Sequence, residues 1–211
     1  MIPRRPWWVV RTFWSAADHQ WYDQHVPIQI NRRPDHDFDE PLGLLSDCHR
    51  RIEHFLDTLI AVHTKAGTET LSASDRSALE AALQYFKTAA PRHTADEEES
   101  LFPRLRESAD PAAVRALAVI DGLEHDHDEA NADHEAVDML VRRWLNAGML
   151  APAESADLGR RLSGLRMLYQ RHIAVEDQDL FPAAARVLNE DQIGQIGREM
   201  AARRGVRPRT P

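Results

Sequence analysis

The chain has 211 residues, of which 43% are hydrophobic and 28% charged, a balance typical of a globular protein with one sizeable domain and room for an appendage. Its formal net charge of −8 argues against nucleic acid and anionic membranes as partners, because phosphate binding requires clustered Lys and Arg. No apolar run approaches the roughly 20 residues needed to span a bilayer, and Cys48 has no second cysteine for an intrachain disulfide. We therefore expect a cytoplasmic protein.

Residues 1–40 differ in composition from the rest of the chain and are predicted to form an irregular, poorly ordered extension. Four of the five tryptophans lie in this segment, among several prolines. An aromatic arm that docks on a partner or at a membrane interface is the alternative interpretation of the same residues. The histidines of the segment, His19, His25 and His36, are not candidates for a site.

A first helix is predicted from about Pro41 to His63, because apolar residues recur there at helical spacing and Gly67 follows its end. His49 lies on this helix. It is interpreted either as a metal ligand or as a core histidine bonded to a backbone carbonyl, and only its place in a repeat, described below, favours the ligand. His54 is predicted to lie at the edge of the helix or in solvent.

A second helix is predicted to begin near Ser74 and Asp75, which are both good N-cap residues. Pro91 should kink this helix two residues before His93, because proline lacks the backbone donor and clashes with the preceding turn. The helix then enters residues 93–103, with the sequence HTADEEESLFP. Its Leu-Phe-Pro is apolar and cannot continue an undisturbed helix, for the same reason.

The remaining elements are also predicted to be helical. A third helix should run from Asp110 to Asn146 with a break at Gly122, and a fourth from about Pro152 to Val187. A short amphipathic helix is predicted for Asp191–Arg204, packed across one end of the other helices. Residues 205–211 should form a loose basic tail.

The third helix and the fourth helix repeat the pattern of the first two. Residues 172–182, with the sequence HIAVEDQDLFP, share with residues 93–103 the pattern His-x-x-x-Glu-acid-x-x-Leu-Phe-Pro, without insertion and 79 residues later. His49 precedes the first copy by 44 residues, and His127 precedes the second by 45. The chain is therefore predicted to be a duplicated pair of helices, in which each pair carries one lone histidine and one copy of the motif.

The chemistry of the repeated residues points to a metal site. A histidine and a glutamate at i and i+4 share one face of a helix, since each residue advances by about 100°. Two such helix pairs, packed face to face, would make a four-helix bundle with these side chains turned inward. Imidazoles and carboxylates without thiolates suit iron, manganese or zinc. The predicted ligands are His49, His93, Glu97, His127, His172 and Glu176.

His134 is a seventh candidate ligand, because it follows His127 by about two helical turns and faces the same way. The repeat does not require it, since Leu56 stands at the equivalent position of the first half, so a hydrogen-bonding or core role is equally open. Glu98 and Asp177, each one residue after a predicted ligand, are interpreted as acids around the site or at the surface.

In these residues and in the two Leu-Phe-Pro segments, the chain resembles the hemerythrin-like family, which is the HHE cation-binding domain family. The resemblance covers about Pro41 to Arg204. It implies an all-α, up-and-down four-helix bundle that holds two iron ions joined by an oxo or hydroxo group. By the same resemblance, Glu97 and Glu176 would bridge the irons, and His49, His93, His127 and His172 would be terminal ligands.

One departure from that family affects the expected function. Its oxygen-carrying members place two histidines at i and i+4 on the third helix, whereas Asn131 stands four residues after His127 in this chain. A role in oxygen transport is therefore disfavoured, and the resemblance favours a response to dioxygen or nitric oxide, peroxide chemistry, or iron handling in storage or repair.

Three classes of function follow from the sequence. The first is a di-iron protein that senses, stores or carries a diatomic gas or iron. The second is an oxidoreductase that acts on peroxide or nitric oxide, and the third is a helical interaction module that binds zinc or no metal. The sequence contains no second catalytic motif and identifies no electron donor or organic substrate, so enzymatic activity stays an open question.

Overall fold

The computed structural model describes residues 35–67, 69–111 and 113–206. In these ranges all regular secondary structure is helical, which confirms the predicted all-α class. None of the described helices is long and apolar enough to cross a membrane. The predicted poorly ordered extension falls, up to residue 34, outside the described residues, as does the basic tail from residue 207 onward.

The described residues form eight α-helices and two short π-helical segments, named here the first and second π-turns. In the first half of the repeat these are α1 (Pro41–Ala66), α2 (Ala73–Thr88), α3 (Ala90–Asp96), the first π-turn (Glu97–Leu101) and α4 (Phe102–Glu107). In the second half they are α5 (Ala113–Ala147), α6 (Pro152–Val175), the second π-turn (Glu176–Leu180) and α7 (Phe181–Val187). The last helix is α8 (Glu190–Arg203).

The long helices pack side by side in a closed set. α1 packs against α2 and α6, and α5 packs against the same two helices. The predicted kink before His93 is present as a break at Ala89 between α2 and α3, with Pro91 in the first turn of α3. Each long helix of the first half thus contacts a long helix of the second half.

Two predictions about the helices, the start of one and a break within another, were wrong. α2 is capped by Ser72, not by Ser74 or Asp75: its hydroxyl accepts a hydrogen bond from the Asp75 backbone, and the Asp75 carboxylate accepts from the Ser72 backbone. α5 shows no break at Gly122. Ile120 and Leu123 on either side of this glycine are fully buried, so packing holds the helix together where glycine alone favours an interruption.

The core consists of two apolar clusters. The buried apolar residues of α1 from Ile52 onward belong to the first cluster, whereas Leu44 and Leu45 belong to the second. On α5, the first begins at Ala130 and the second ends at Leu123. The short stretches between the clusters on these helices contain His49 and His127, so the predicted ligands occupy a polar layer enclosed by apolar side chains.

α8 packs against α1, α3 and the first π-turn. Its buried apolar side chains are those of Ile196, Met200 and Ala201. Beside them, Arg203 and Arg204 donate to the buried carboxylate of Asp96 at 3.0 and 2.6 Å. The last turn of α8 is therefore tied to the residue that precedes Glu97.

Candidate metal centre

The two π-turns lie where the two copies of the motif lie, and each begins at a glutamate. The backbone N–H of Phe102 donates to the carbonyl of Glu97, and that of Phe181 donates to Glu176, so each bond skips one residue more than in an α-helix. The following prolines, Pro103 and Pro182, have no N–H to continue the α-helical ladder. The disturbance expected from Leu-Phe-Pro thus takes the form of a π-turn.

The six residues predicted from the repeat come together in two overlapping groups. In each group, the ligating atoms all lie within 4.8 Å of one another and all the residues are buried. The groups are His49, His93, Glu97 and Glu176, and Glu97, His127, His172 and Glu176. Glu97 and Glu176 belong to both groups and lie between the two pairs of imidazoles.

Each imidazole directs its Nε2 atom at one of the shared carboxylates. The distances from Nε2 to Glu176 are 3.1 Å for His49 and 3.2 Å for His172. Those to Glu97 are 3.3 Å for His93 and 3.4 Å for His127. Two donor atoms at about 2.1 Å from one tetrahedral or octahedral ion stand about 3–3.5 Å apart, so this spacing is compatible with ligands to a shared cation as well as with imidazole–carboxylate ion pairs.

The ligating atoms have no other use among the described residues. Both carboxylate oxygens of Glu97 and of Glu176 are buried without a hydrogen-bond partner, as are the Nε2 atoms of His49 and His127. A buried polar atom without a partner is destabilising, and a buried carboxylate without a counter-charge is more so. A pair of divalent cations would satisfy these atoms, so the residues fit the metals that the sequence implied.

The electrostatics of the layer favour positive charge at its centre. Burial lowers the pKa of His93 to about 4, so this imidazole is neutral and able to ligate. Burial opposes ionisation of Glu97, but the surrounding imidazoles outweigh it and hold the pKa of this carboxyl well below its usual range. Burial also lowers the pKa of His127, but the carboxylates of Glu97 and Glu98 more than offset it and raise that pKa to about 9. Glu97 is therefore ionised, and its negative charge favours a cation beside it.

Three of the four imidazoles are also held from behind, through Nδ1. That of His127 lies 2.7 Å from a carboxylate oxygen of Glu98, and that of His49 lies 3.1 Å from Asp177. A bond from Nδ1–H to a carboxylate fixes the tautomer and leaves the Nε2 lone pair pointing inward. The acids interpreted as lying around the site or at the surface therefore contact the predicted ligands. The third such contact joins His172 to Asp126 at 3.4 Å.

The phenylalanines of the two Leu-Phe-Pro segments stack on imidazoles of the opposite half. Phe181 stacks on His49, with ring centroids 5.4 Å apart, and Phe102 stacks on His127 at 6.4 Å. The sequence marks these phenylalanines only as part of the repeated motif and predicts no contact for them. Their repetition at one position in both motifs was the available signal.

His134 lies outside both groups of ligating atoms. Its Nε2 atom is 2.9 Å from the hydroxyl of Tyr169, and its ring stacks on Phe86 with centroids 4.2 Å apart. Burial lowers the pKa of His134 to about 4 and raises that of Tyr169, so both groups are neutral. Tyr169 was not predicted to belong to the site, because its counterpart in the first half, Ala90, carries no polar group.

These two side chains line a small pocket of about 40 Å³ above the imidazoles. Its wall is mostly apolar, and it reaches the surface beside Pro91 and Asn131, which are exposed. The pocket is lined by His49, Ile52, Phe86, Ala90, Pro91, His93, Thr94, His127, Ala130, Asn131, His134, Tyr169, His172 and Ile173. A volume of this size holds a few water molecules or a small ligand.

Comparison with known proteins agrees with this site. Residues 40–184 match the hemerythrin HHE cation binding domain. An uncharacterized protein of Haemophilus influenzae is 28% identical over 171 residues, which cover 81% of this chain and 93% of that protein. The matched range contains every predicted ligand and both π-turns. The chain therefore belongs to the hemerythrin HHE cation-binding domain family.

Proposed function

We propose that this protein binds two iron ions in the layer of histidines and glutamates. The iron pair would interact with dioxygen, nitric oxide or peroxide, or the protein would handle iron in sensing, storage or repair. The observation that carries the proposal is the membership of Glu97 and Glu176 in both groups of ligating atoms. Two buried carboxylates shared by two sets of imidazoles are suited to a binuclear centre inside a helix bundle.

In this proposal each ion takes two imidazoles and shares the two carboxylates. His49 and His93 would hold one ion, and His127 and His172 the other. An iron pair held in this way would supply reversible redox chemistry and open positions for a small ligand. Each group offers four protein donors, which is fewer than the six of an octahedral ion. Asn131, at the position where oxygen carriers have a further histidine, is exposed, and so is Glu53 at the equivalent position of the first half.

The pocket gives the proposed centre its access and its selectivity. All four imidazoles line it, so a small molecule that enters beside Pro91 and Asn131 would reach the inner face of the layer. The apolar wall favours uncharged diatomic molecules over ions. The Tyr169 hydroxyl, held by His134 at 2.9 Å, would provide a hydrogen bond to such a ligand, and we assign His134 this positioning role in preference to ligation.

We also propose the helix directions and domain limits that this site requires. The residues from 41 to 204 would form one metal-binding domain, with α1, the α2–α4 segment, α5 and the α6–α7 segment running alternately up and down. The closed set of packing partners among these helices supports this arrangement. Residues 1–40 and 205–211 would then be appendages outside the metal-binding domain.

The first experiment is to measure the metal content of the full chain purified from iron-replete cells, together with an optical spectrum while the anaerobic ferrous protein meets air. We expect close to two irons per chain and growing near-ultraviolet absorption from an oxygen-bridged ferric pair. Reversal of the spectrum on removing oxygen would assign an oxygen-carrying role, and an irreversible change would assign redox or repair chemistry. A single zinc ion, or no metal, would refute the di-iron proposal.

A second candidate function is an oxidoreductase that acts on peroxide or nitric oxide at the same centre. The observation that favours it is the hydrogen bond between His134 and Tyr169 inside the pocket, since a hydroxyl there can donate a proton to a bound molecule. Multiple turnovers of peroxide or nitric oxide by the iron-loaded protein, slowed in Tyr169→Phe, would support it. A stoichiometric reaction that stops after one equivalent would leave the binding role.

A further inference from the structure

The four imidazoles of the metal layer are not equally supported. His49, His127 and His172 each direct Nδ1 at a carboxylate. His93 does not: its Nδ1 atom is buried and has no hydrogen-bond partner among the residues that the structure describes. The His93 side chain is only 5% exposed, so bulk solvent does not reach Nδ1 to replace the missing carboxylate. The exception therefore falls on one of the two groups of ligands.

The repeat shows which residue is responsible. Asp126, which supports His172, stands immediately before His127, and the equivalent residue before His49 is Cys48. The two pairs of rings have the same spacing, with centroids 4.9 Å apart for His49 and His93 and 4.8 Å for His127 and His172. In the repeat, Cys48 thus stands at the position of the supporting acid, and a thiol is only a weak acceptor.

Within residues 35–67, 69–111 and 113–206, no acid bonds to Nδ1 of His93 in place of the missing carboxylate. Asp96 follows His93 by three residues, about one helical turn. Both of its carboxylate oxygens, however, accept hydrogen bonds from Arg203 and Arg204 at the end of α8. In the second half, the carboxylate of Asp126 is itself oriented by Arg171, which donates to its other oxygen at 2.6 Å. The acids of the motif and the stacked phenylalanines, by contrast, are matched between the halves.

An imidazole whose Nδ1–H is bound to a carboxylate is a stronger and better-oriented ligand, and loss of such a partner typically weakens metal binding about 10–100-fold. We propose that the two metal positions are inequivalent, so that the ion held by His127 and His172 binds tightly while the ion held by His49 and His93 binds weakly and exchanges first. This inference rests on the proposed pair of metal ions and adds an order of loading and release to it.

The test is a titration of the metal-free full chain with Co²⁺, followed by calorimetry and by visible absorption. The wild type should bind two ions in steps separated by about 10–100-fold in affinity. His93→Ala should keep the tight step and lose the weak one, whereas His172→Ala should lose the tight step. Two equal steps in the wild type, or the opposite assignment from the two variants, would overturn the inference.

A matched pair of variants tests the cause. Cys48→Asp supplies the missing carboxylate and should narrow the separation to less than about tenfold, while Cys48→Ser, similar in size but uncharged, should leave it unchanged. Asp126→Asn introduces no new buried charge, so it serves even where Cys48→Asp does not fold, and it should weaken the tight step. An unchanged separation in folded Asp126→Asn would refute the cause. Absence of any Co²⁺ binding would refute the metal pair itself.

Discussion

Glu98 and Asp177 follow the two predicted bridging glutamates, and each supports a histidine of the opposite half. Glu98, in the first half, bonds to His127, and Asp177, in the second, bonds to His49. Each acid is about one-third exposed, yet its partner is buried. The charge therefore stays partly hydrated while its hydrogen bond orients a buried ligand, which limits the desolvation that a fully buried acid would suffer.

We expect Glu98→Gln and Asp177→Asn each to weaken metal binding about 10–100-fold while leaving the fold intact, because the amide cannot hold the imidazole as a carboxylate does. The dissociation constant for Co²⁺ and the circular dichroism spectrum check the two parts of this expectation. Asp179→Asn is the control, since Asp179 lies in the same π-turn, is exposed and carries the same charge. Equal effects from Asp177→Asn and Asp179→Asn would point to net charge alone.

Removal of a proposed ligand should have a larger effect than removal of an acid around it. His93→Ala or Glu176→Ala should lose most of the bound iron, because each deletes a donor atom at the centre of the layer. His54→Ala and His36→Ala should retain it, since neither residue belongs to the groups of ligating atoms found in the described chain. Iron per chain, measured after identical purification, is the readout. Comparable losses in both sets would mean that the inward face has been assigned to the wrong residues.

At the scale of single residues, the repeat carried most of the information. Spacing alone brought together four histidines and two glutamates that the structure places in one layer. It did not reveal which acid supports which imidazole, because each of those bonds joins residues on different elements, from 29 to 128 positions apart. Tyr169 was also not predicted, since it meets its partner His134 only when α5 packs against α6.

At the scale of elements, the sequence predicted the position of helix disturbances better than the form that they take. Leu-Phe-Pro correctly marked the position of the disturbance, but the π-turn arises because the chain inserts a residue and keeps its helical path. The opposite error occurred at Gly122, where a weak helix former suggested a break and burial on both sides prevailed. Local propensity is decisive only where packing does not override it.

The packing of α8 against residues before α1 depends on one glycine. A Cβ atom at Gly197 would overlap the backbone carbonyl oxygen of Phe38, and backbone cannot move aside as a flexible side chain can. We expect Gly197→Ala to lower the free energy of unfolding by about 1–3 kcal/mol, as measured by urea denaturation.

Gly194→Ala, in the same helix, is the matched control for Gly197→Ala. Its Cβ would approach only the end of the Arg198 side chain, at 3.2 Å, and this side chain can move. Because alanine favours helix over glycine, Gly194→Ala should raise the free energy of unfolding by up to about 1 kcal/mol. Destabilisation of similar size in both variants would show that the contact with Phe38 is not the cause.

For the whole molecule, the polar layer is at once the proposed site and the weakest part of the core. It divides the apolar interior into two clusters, and its carboxylate oxygens lack hydrogen-bond partners among the described residues. The repeat predicted the inward-facing layer. It did not predict the two apolar clusters that enclose the layer, because which residues join each cluster depends on how all the helices pack. Such a layer links folding to metal binding, since only a folded chain assembles the ligands.

Removal of metal should therefore lower the thermal stability of the whole domain and not merely its activity. A ligand that binds the folded state alone stabilises it by about 2.7 kcal/mol when present at one hundred times its dissociation constant, which corresponds to about 5–10 °C for a domain of this size. We expect chelator treatment to lower the unfolding temperature by this order, and added Co²⁺ to restore it in the wild type. Glu176→Gln should gain little from Co²⁺, because one shared carboxylate is lost to both groups. An unfolding temperature that ignores both chelator and Co²⁺ would show that the buried acids are satisfied in some other way and would count against a structural role for the metal pair.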